Sequence, residues 1–188
     1  MNFGKTITRR IDACYECGRH WLNWYDSAYD SIENYVSTID HNRQQPIRDM
    51  AAYLAIASPR VQVSRSVKIA KHYFESGQKL PGTMTAIFDK LVEFDNDPNA
   101  YIWPRKTGAF FAAILGAKSR IVVDIHISRA YGFDDGFPMR DTFAGRAANA
   151  AICEHIESIS KTNPRDTQAA IWCGWLRFQG KEVGELIL

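Results

Sequence analysis

The stretch PRKTGAFFAAILGAKSRIVVDIHISRAYG, residues 104–132, decides the reading of this chain. Pro104 suits the first turn of a helix, since it lacks the amide that would go unpaired there. Residues 105–116 are apolar nearly all round, which predicts a helix buried beyond its first turn. Residues 120–124, RIVVD, read as a short extended piece, and RIVV by propensity could be a strand without a partner. Asp124 then stands where a helix over HISRAYG begins, and a carboxylate there caps free amides and meets the positive end of the helix dipole.

The same stretch places a lysine, Lys106, at the start of one helix and Asp124 at the start of the next, 18 residues on. The field of a helix N-terminus and desolvation both favour the neutral amine, the nucleophilic form. Such a lysine can form a Schiff base with a sugar C1′, and an adjacent aspartate can accept its proton or stabilise positive charge on the sugar. A surface lysine and a helix-capping aspartate account for the same spacing.

Outward from this stretch the chain reads as helix after helix. An aromatic stripe with a period near 3.6 runs over residues 10–38, which predicts one helix. Residues 47–57 predict a buried helix that stops at Ser58-Pro59-Arg60, because Pro59 disfavours helix at Ser58. Further helices are expected over 62–76, 83–94, 140–161 and 164–179, the last started by Asn163-Pro164. No two-residue hairpin turn is present, so the expected class is all-α, with about eight helices and no sizeable sheet, in one domain over 1–188.

With 46% hydrophobic and 23% charged residues, the composition is that of a globular protein and excludes extensive disorder. The net charge of +2 is uninformative, but its distribution is not. Residues 58–130 hold eleven Lys/Arg against six Asp/Glu, while the flanking segments are slightly acidic. A basic face attracts phosphates, and it is equally a solvated surface. The N-terminal stretch lacks the apolar core of a signal peptide, and no apolar run approaches the roughly 20 residues of a membrane span. The expectation is therefore a soluble cytoplasmic protein with no membrane partner. Cys14, Cys17 and His20 offer half of a zinc pattern, but Cys153 and Cys173 do not complete it. Free thiols and no metal are expected.

Arg105-Lys106-Thr107, the apolar helix, Val122-Val123-Asp124-Ile125-His126 and the trailing Arg129 resemble the helix-hairpin-helix DNA glycosylase superfamily, its endonuclease III branch in particular. The resemblance puts Lys106 on the Schiff-base lysine and Asp124 on the essential aspartate. Upstream, AIASPRVQVSRSVKIAKHYF is similar to the family's early turn and helix: Ser58 falls on its serine and Arg60 on its base-replacing glutamine. Trp24-Tyr25 with Ala28, Lys106-Thr107 with Phe110, and Gln168-Ala169-Ala170-Ile171-Trp172 also resemble short phage-type members of the superfamily. The matched parts span roughly residues 21–178.

The resemblance implies a DNA glycosylase acting on a flipped, modified or damaged base, with DNA as partner and, for a phage-encoded chain, the host cytoplasm as location. Asp124 would assist departure of the base and Lys106 capture C1′, with possible strand cleavage. Candidate DNA or substrate contacts are Arg60, Arg65, Trp103, Arg105, His126, Arg129 and Gln168. Lys68 and Lys71 follow Arg65 on the same helix and could meet phosphates, and Tyr101 flanks Lys106 with Trp103 as a stacking surface. Core packing accounts equally for Trp103 and Tyr101, and Trp172, Trp175 and Phe178 read as core. Two departures stand out. The family's Gly-x-Gly hairpin is replaced by Tyr101-Ile102-Trp103-Pro104, and its four-cysteine iron–sulfur motif is absent, so no cofactor is expected. A thymine-modifying enzyme on the same scaffold and a non-catalytic DNA-binding module are the alternatives.

Overall fold

The structure is a computed structural model and describes residues 3–133, 136–184, 186 and 188. Among the described residues it is all-helical, without a strand. The helices are α1 (Lys5–Gly18), α2 (Trp24–Thr38), α3 (Pro46–Ala57), α4 (Val63–Ser76), α5 (Thr85–Asn96), α6 (Arg105–Ile114), α7 (Ile125–Ala130), α8 (Phe143–Ile159) and α9 (Pro164–Phe178). Short 3₁₀ turns lie at Arg19–Trp21 and Phe137–Met139. No helix among these residues is long and apolar enough to cross a membrane.

The chain forms two compact units, each discontinuous in sequence. The first comprises Met1–Tyr25 and Ala117–Val183, the second Asp26–Gly116 and Gly184–Leu188. Its Lys106 helix and its Asp124 helix thus belong to different units.

In the second unit α3 is the hub, packed by α4, α5 and α6. Every residue from Met50 to Ala57 is buried. Four alanines keep its surface narrow, so three neighbours can approach, and Tyr53 fills the middle. Its ring meets Tyr73 at 4.9 Å and Phe94 at 5.9 Å, edge to face. Its hydroxyl reaches polar partners at the margin, where it donates to Asp95 and accepts from Arg43. The helix stops at Ala57, as Pro59 predicts, and α4 ends on Gly77 at φ +68°, a conformation glycine adopts without strain.

In the first unit α1 and α9 form the most extensive helix pair. A Cβ built on Gly174 would lie 1.9 Å from the Cys14 carbonyl oxygen, and one on Gly18 would lie 1.9 Å from that of Ala170. The two backbones therefore touch at a crossing where only glycine fits. Around it lies a core of Ile11, Cys14, Ile121, Val123, Ile127, Tyr131, Ile152, Ile156 and Ile171.

Two expectations need correction, and a third reading holds. The single helix over 10–38 is two helices, because Gly18 and the 3₁₀ turn after it redirect the chain. RIVV finds no strand partner, in keeping with its reading as a short piece outside any sheet, and Ile121, Val122 and Val123 bury their side chains in irregular backbone. Residues 109–112 of α6 are only half-buried, since α6 offers just a stripe of Thr107, Ala113 and Ile114 to complete burial.

Candidate active site

Asp124 is the N-cap of α7, as its position predicts. Its backbone is extended, at φ −106° and ψ −173°. Oδ1 accepts the amides of His126 at 2.9 Å and Ile127 at 2.8 Å. The buried run 121–123 before it anchors the turn, and Ser128 Oγ donates to the Asp124 carbonyl at 2.7 Å. The carboxylate is half-buried. Its second oxygen, Oδ2, accepts the indole N–H of Trp172 at 3.0 Å.

Trp172 stands on α9, which packs against α7. Its ring meets Trp24 edge-on at 5.8 Å and His126 at 6.4 Å. Next to Trp24 the Tyr25 hydroxyl donates to Gln168 Oε1 at 2.9 Å. Burial pushes the Tyr25 hydroxyl well above its ordinary range, and the negative charge of Asp124 adds to this. Arg165, fully buried, lies over the Tyr25 ring at 5.6 Å and pairs with Asp166 at 2.9 Å. Three stretches far apart in sequence, Trp24-Tyr25, Asp124 to His126 and Gln168 to Trp172, thus meet around one carboxylate.

The other sequence candidates divide clearly. Gln168 is 3% exposed and engaged with Tyr25, so its carbonyl faces the interior rather than a base edge. Arg129 is exposed in the last turn of α7. In the second unit Lys106 is half-buried in the first turn of α6, beside exposed Arg105. Trp103 stacks on Phe111 at 4.4 Å with planes 7° apart, and Gly108 leaves room for its Cβ. Tyr101 meets Trp103 edge-on at 4.9 Å. Residues 101–104 therefore form an aromatic plug.

Arg65 donates to the Pro81 carbonyl at 2.6 Å and so straps the following loop to α4. Lys71 lies over the Tyr35 ring at 4.4 Å, while Lys68 is exposed. Arg60 is exposed at φ +60°, the one described non-glycine residue in the left-handed region. That conformation costs an L-residue about 1 kcal/mol or more.

Among the described residues no group of three or more His, Cys, Asp or Glu side chains is placed to hold a metal. Cys14 is buried against α9 and its thiol is pushed up to about 11 by burial, whereas His20 is exposed. Sequence reasoning missed two residues. Trp172 read as core by its helical spacing, yet its N–H reaches the carboxylate. Arg165 carried no signal at all, since an arginine in a first helical turn ordinarily faces solvent.

No curated protein matches this chain, and no solved structure does. One family profile, a family of unknown function (DUF7178), matches residues 4–179, from the start of α1 to the end of α9. With that match covering nearly the whole of both units, the chain belongs to the DUF7178 family.

Proposed function

We propose that this protein is a DNA glycosylase-like enzyme that acts on a flipped, modified or damaged base through Asp124 and Lys106. One observation carries the reading: a half-buried carboxylate held by three donors, in the segment that resembles the glycosylase superfamily. All three contacts donate to Asp124, so it acts as an acceptor, suited to stabilising positive charge at C1′. In this mechanism the glycosidic C1′–N bond breaks and its electron pair leaves with the base. The nitrogen lone pair of Lys106 bonds to C1′, and a proton from that nitrogen passes to water. The C1′–O4′ bond then breaks, O4′ takes its electron pair and a proton to become the 4′-hydroxyl, and the nitrogen lone pair completes the iminium. Arg60, Arg105 and Lys68, exposed in the basic segment, supply phosphate contacts, and DNA in the cytoplasm is the partner.

Borohydride tests this directly. It reduces the iminium to a stable amine, so a covalent protein–DNA adduct is expected with an oligonucleotide carrying the right modified base. Lys106→Ala abolishes the adduct, and Asp124→Asn slows its formation by at least about tenfold, or 1.4 kcal/mol of barrier. Absence of any adduct across a broad panel of modified bases counts against the glycosylase reading.

The aromatic plug at 101–104 favours one second reading, a base-modifying enzyme of thymine derivatives on the same scaffold. Backbone amides of a glycine hairpin are missing there, so grip on ordinary duplex DNA is reduced. Mass spectrometry of nucleosides from cells with and without the gene separates the two. Salt-dependent DNA binding unchanged by Lys106→Ala and Asp124→Asn, with neither adduct nor modified nucleoside, marks a binding module instead.

A further inference from the structure

The two oxygens of Asp124 have unequal surroundings. Oδ1 accepts two backbone amides, at 2.9 and 2.8 Å, as the cap of α7. Oδ2 accepts one hydrogen bond, from Trp172 Nε1 at 3.0 Å. A carboxylate oxygen offers about two lone-pair sites. Oδ1 is therefore saturated by its cap, and Oδ2 keeps one site for something else.

The donor on Oδ2 is unusually well defined. An indole N–H can only donate, and it cannot rotate independently of its ring. That ring is held edge-on by Trp24 at 5.8 Å and by His126 at 6.4 Å. Its helix, α9, packs against α7 and crosses α1 at a backbone contact that admits only glycine. The cap alone leaves the carboxylate able to swing about its Oδ1 anchor. A second anchor on Oδ2, from a different helix, fixes the plane of the group. Capping of α7 does not need that second anchor, because Oδ1 already satisfies both amides.

We infer that Trp172 is the positioning residue of Asp124, holding the carboxylate so that one lone pair of Oδ2 faces a cationic centre of the ligand. The inference rests on the glycosylase-type reading and refines it. The cationic centre is the positive charge that develops at C1′ of a deoxyribose as the base departs. Trp172 touches no reacting atom; it acts through Asp124.

The test compares binding of two oligonucleotides by fluorescence anisotropy. One carries a pyrrolidine abasic-site analogue, cationic where C1′ charge develops; the other carries the neutral tetrahydrofuran analogue. Wild-type protein is expected to prefer the cationic analogue by about tenfold, and Trp172→Phe to lose most of that preference while still binding the neutral analogue. Trp172→His, which retains a ring N–H, restores part of it. A spectroscopic readout stands beside the binding. The Trp172 indole N–H resonance, assigned by its loss in Trp172→Phe, moves upfield in Asp124→Asn, while those of the other four tryptophans report an intact fold.

A preference kept intact in Trp172→Phe overturns the inference and leaves the glycosylase reading standing. An indole resonance unmoved in Asp124→Asn removes the hydrogen bond and overturns it as well. If wild-type protein shows no preference for the cationic analogue, the glycosylase reading fails and takes the inference with it. Should Trp172→Phe not fold, the Asp124→Asn resonance and the Trp172→His preference still decide.

Discussion

Asp124 has two duties that substitution separates. As a cap it uses Oδ1; as a charged group it uses Oδ2 and its net charge. Asparagine caps as well as aspartate, so Asp124→Asn is expected to change stability by less than about 1 kcal/mol while removing the negative charge that the proposed chemistry uses. Asp124→Ala loses the cap, roughly 1 kcal/mol, and leaves the Trp172 indole without an acceptor, about 1 kcal/mol more. Urea unfolding of both variants checks this, and equal losses would mean that the cap contributes little. A second residue gives a pH dependence. His155 is pushed below its ordinary range by burial, with Asp12 opposing weakly. Its Nδ1 lies 2.9 Å from the Tyr131 hydroxyl, and Phe3 meets its ring at 5.5 Å. The unfolded chain therefore binds a proton before the folded one does. The stability linked to His155 is complete above about pH 6.5 and is lost as pH falls through the folded value. Unfolding midpoints at pH 7.5 and 5.5 are expected to differ more in the wild type than in His155→Phe. At this scale Asp124 was legible because a cap is a local matter. The partners of Gln168 and Trp172 were not, since a polar tip on an apolar helix shows its direction only once the neighbouring helix is placed.

Among the elements, the α1–α9 crossing makes the sharpest claim. Gly18 and Gly174 each face a carbonyl oxygen that a methyl group would overlap at 1.9 Å, and that oxygen belongs to backbone, which yields little. Gly174→Ala and Gly18→Ala are each expected to destabilise the protein on the order of 3 kcal/mol through forced separation of the helices. Gly4, with nothing within 4 Å of its built Cβ, is the control, and Gly4→Ala is expected to cost less than about 1 kcal/mol. Denaturant midpoints of the three variants decide, and a mild Gly174→Ala would show that the helices can slide apart. Helix bounds were readable where punctuation is strong. Pro59 ends α3, and Asn163 caps α9 with a bond of 2.9 Å, whereas the cap of α8, Thr142, carried no such signal and its helix was expected from 140. The break between α1 and α2 was obscured because the aromatic period continues across Gly18. The half-exposure of α6 was missed because an apolar sequence does not reveal how many neighbours will cover it.

For the whole molecule, the charge distribution carries the prediction. DNA binding is expected to weaken linearly in log–log form as salt rises, and Lys68→Ala to reduce that slope by about 1. Lys161→Ala, exposed in the acidic C-terminal segment, leaves the slope unchanged. Equal slopes in all three proteins would remove α4 from the interface. Hydrophobic period, proline and capping residues are local, and they were enough to establish an all-helical chain and a capping aspartate at the start of α7. The partition into two interleaved units, the glycine contact of α1 with α9, and the meeting of Tyr25, Asp124, Gln168 and Trp172 depend on contacts between residues up to 160 positions apart. Burial free energy rewards any covered apolar face and does not specify which partner covers it. That choice, made by backbone approach and by the hydrogen bonds left to satisfy, turned Asp124 from a plausible cap into a carboxylate gripped from two helices.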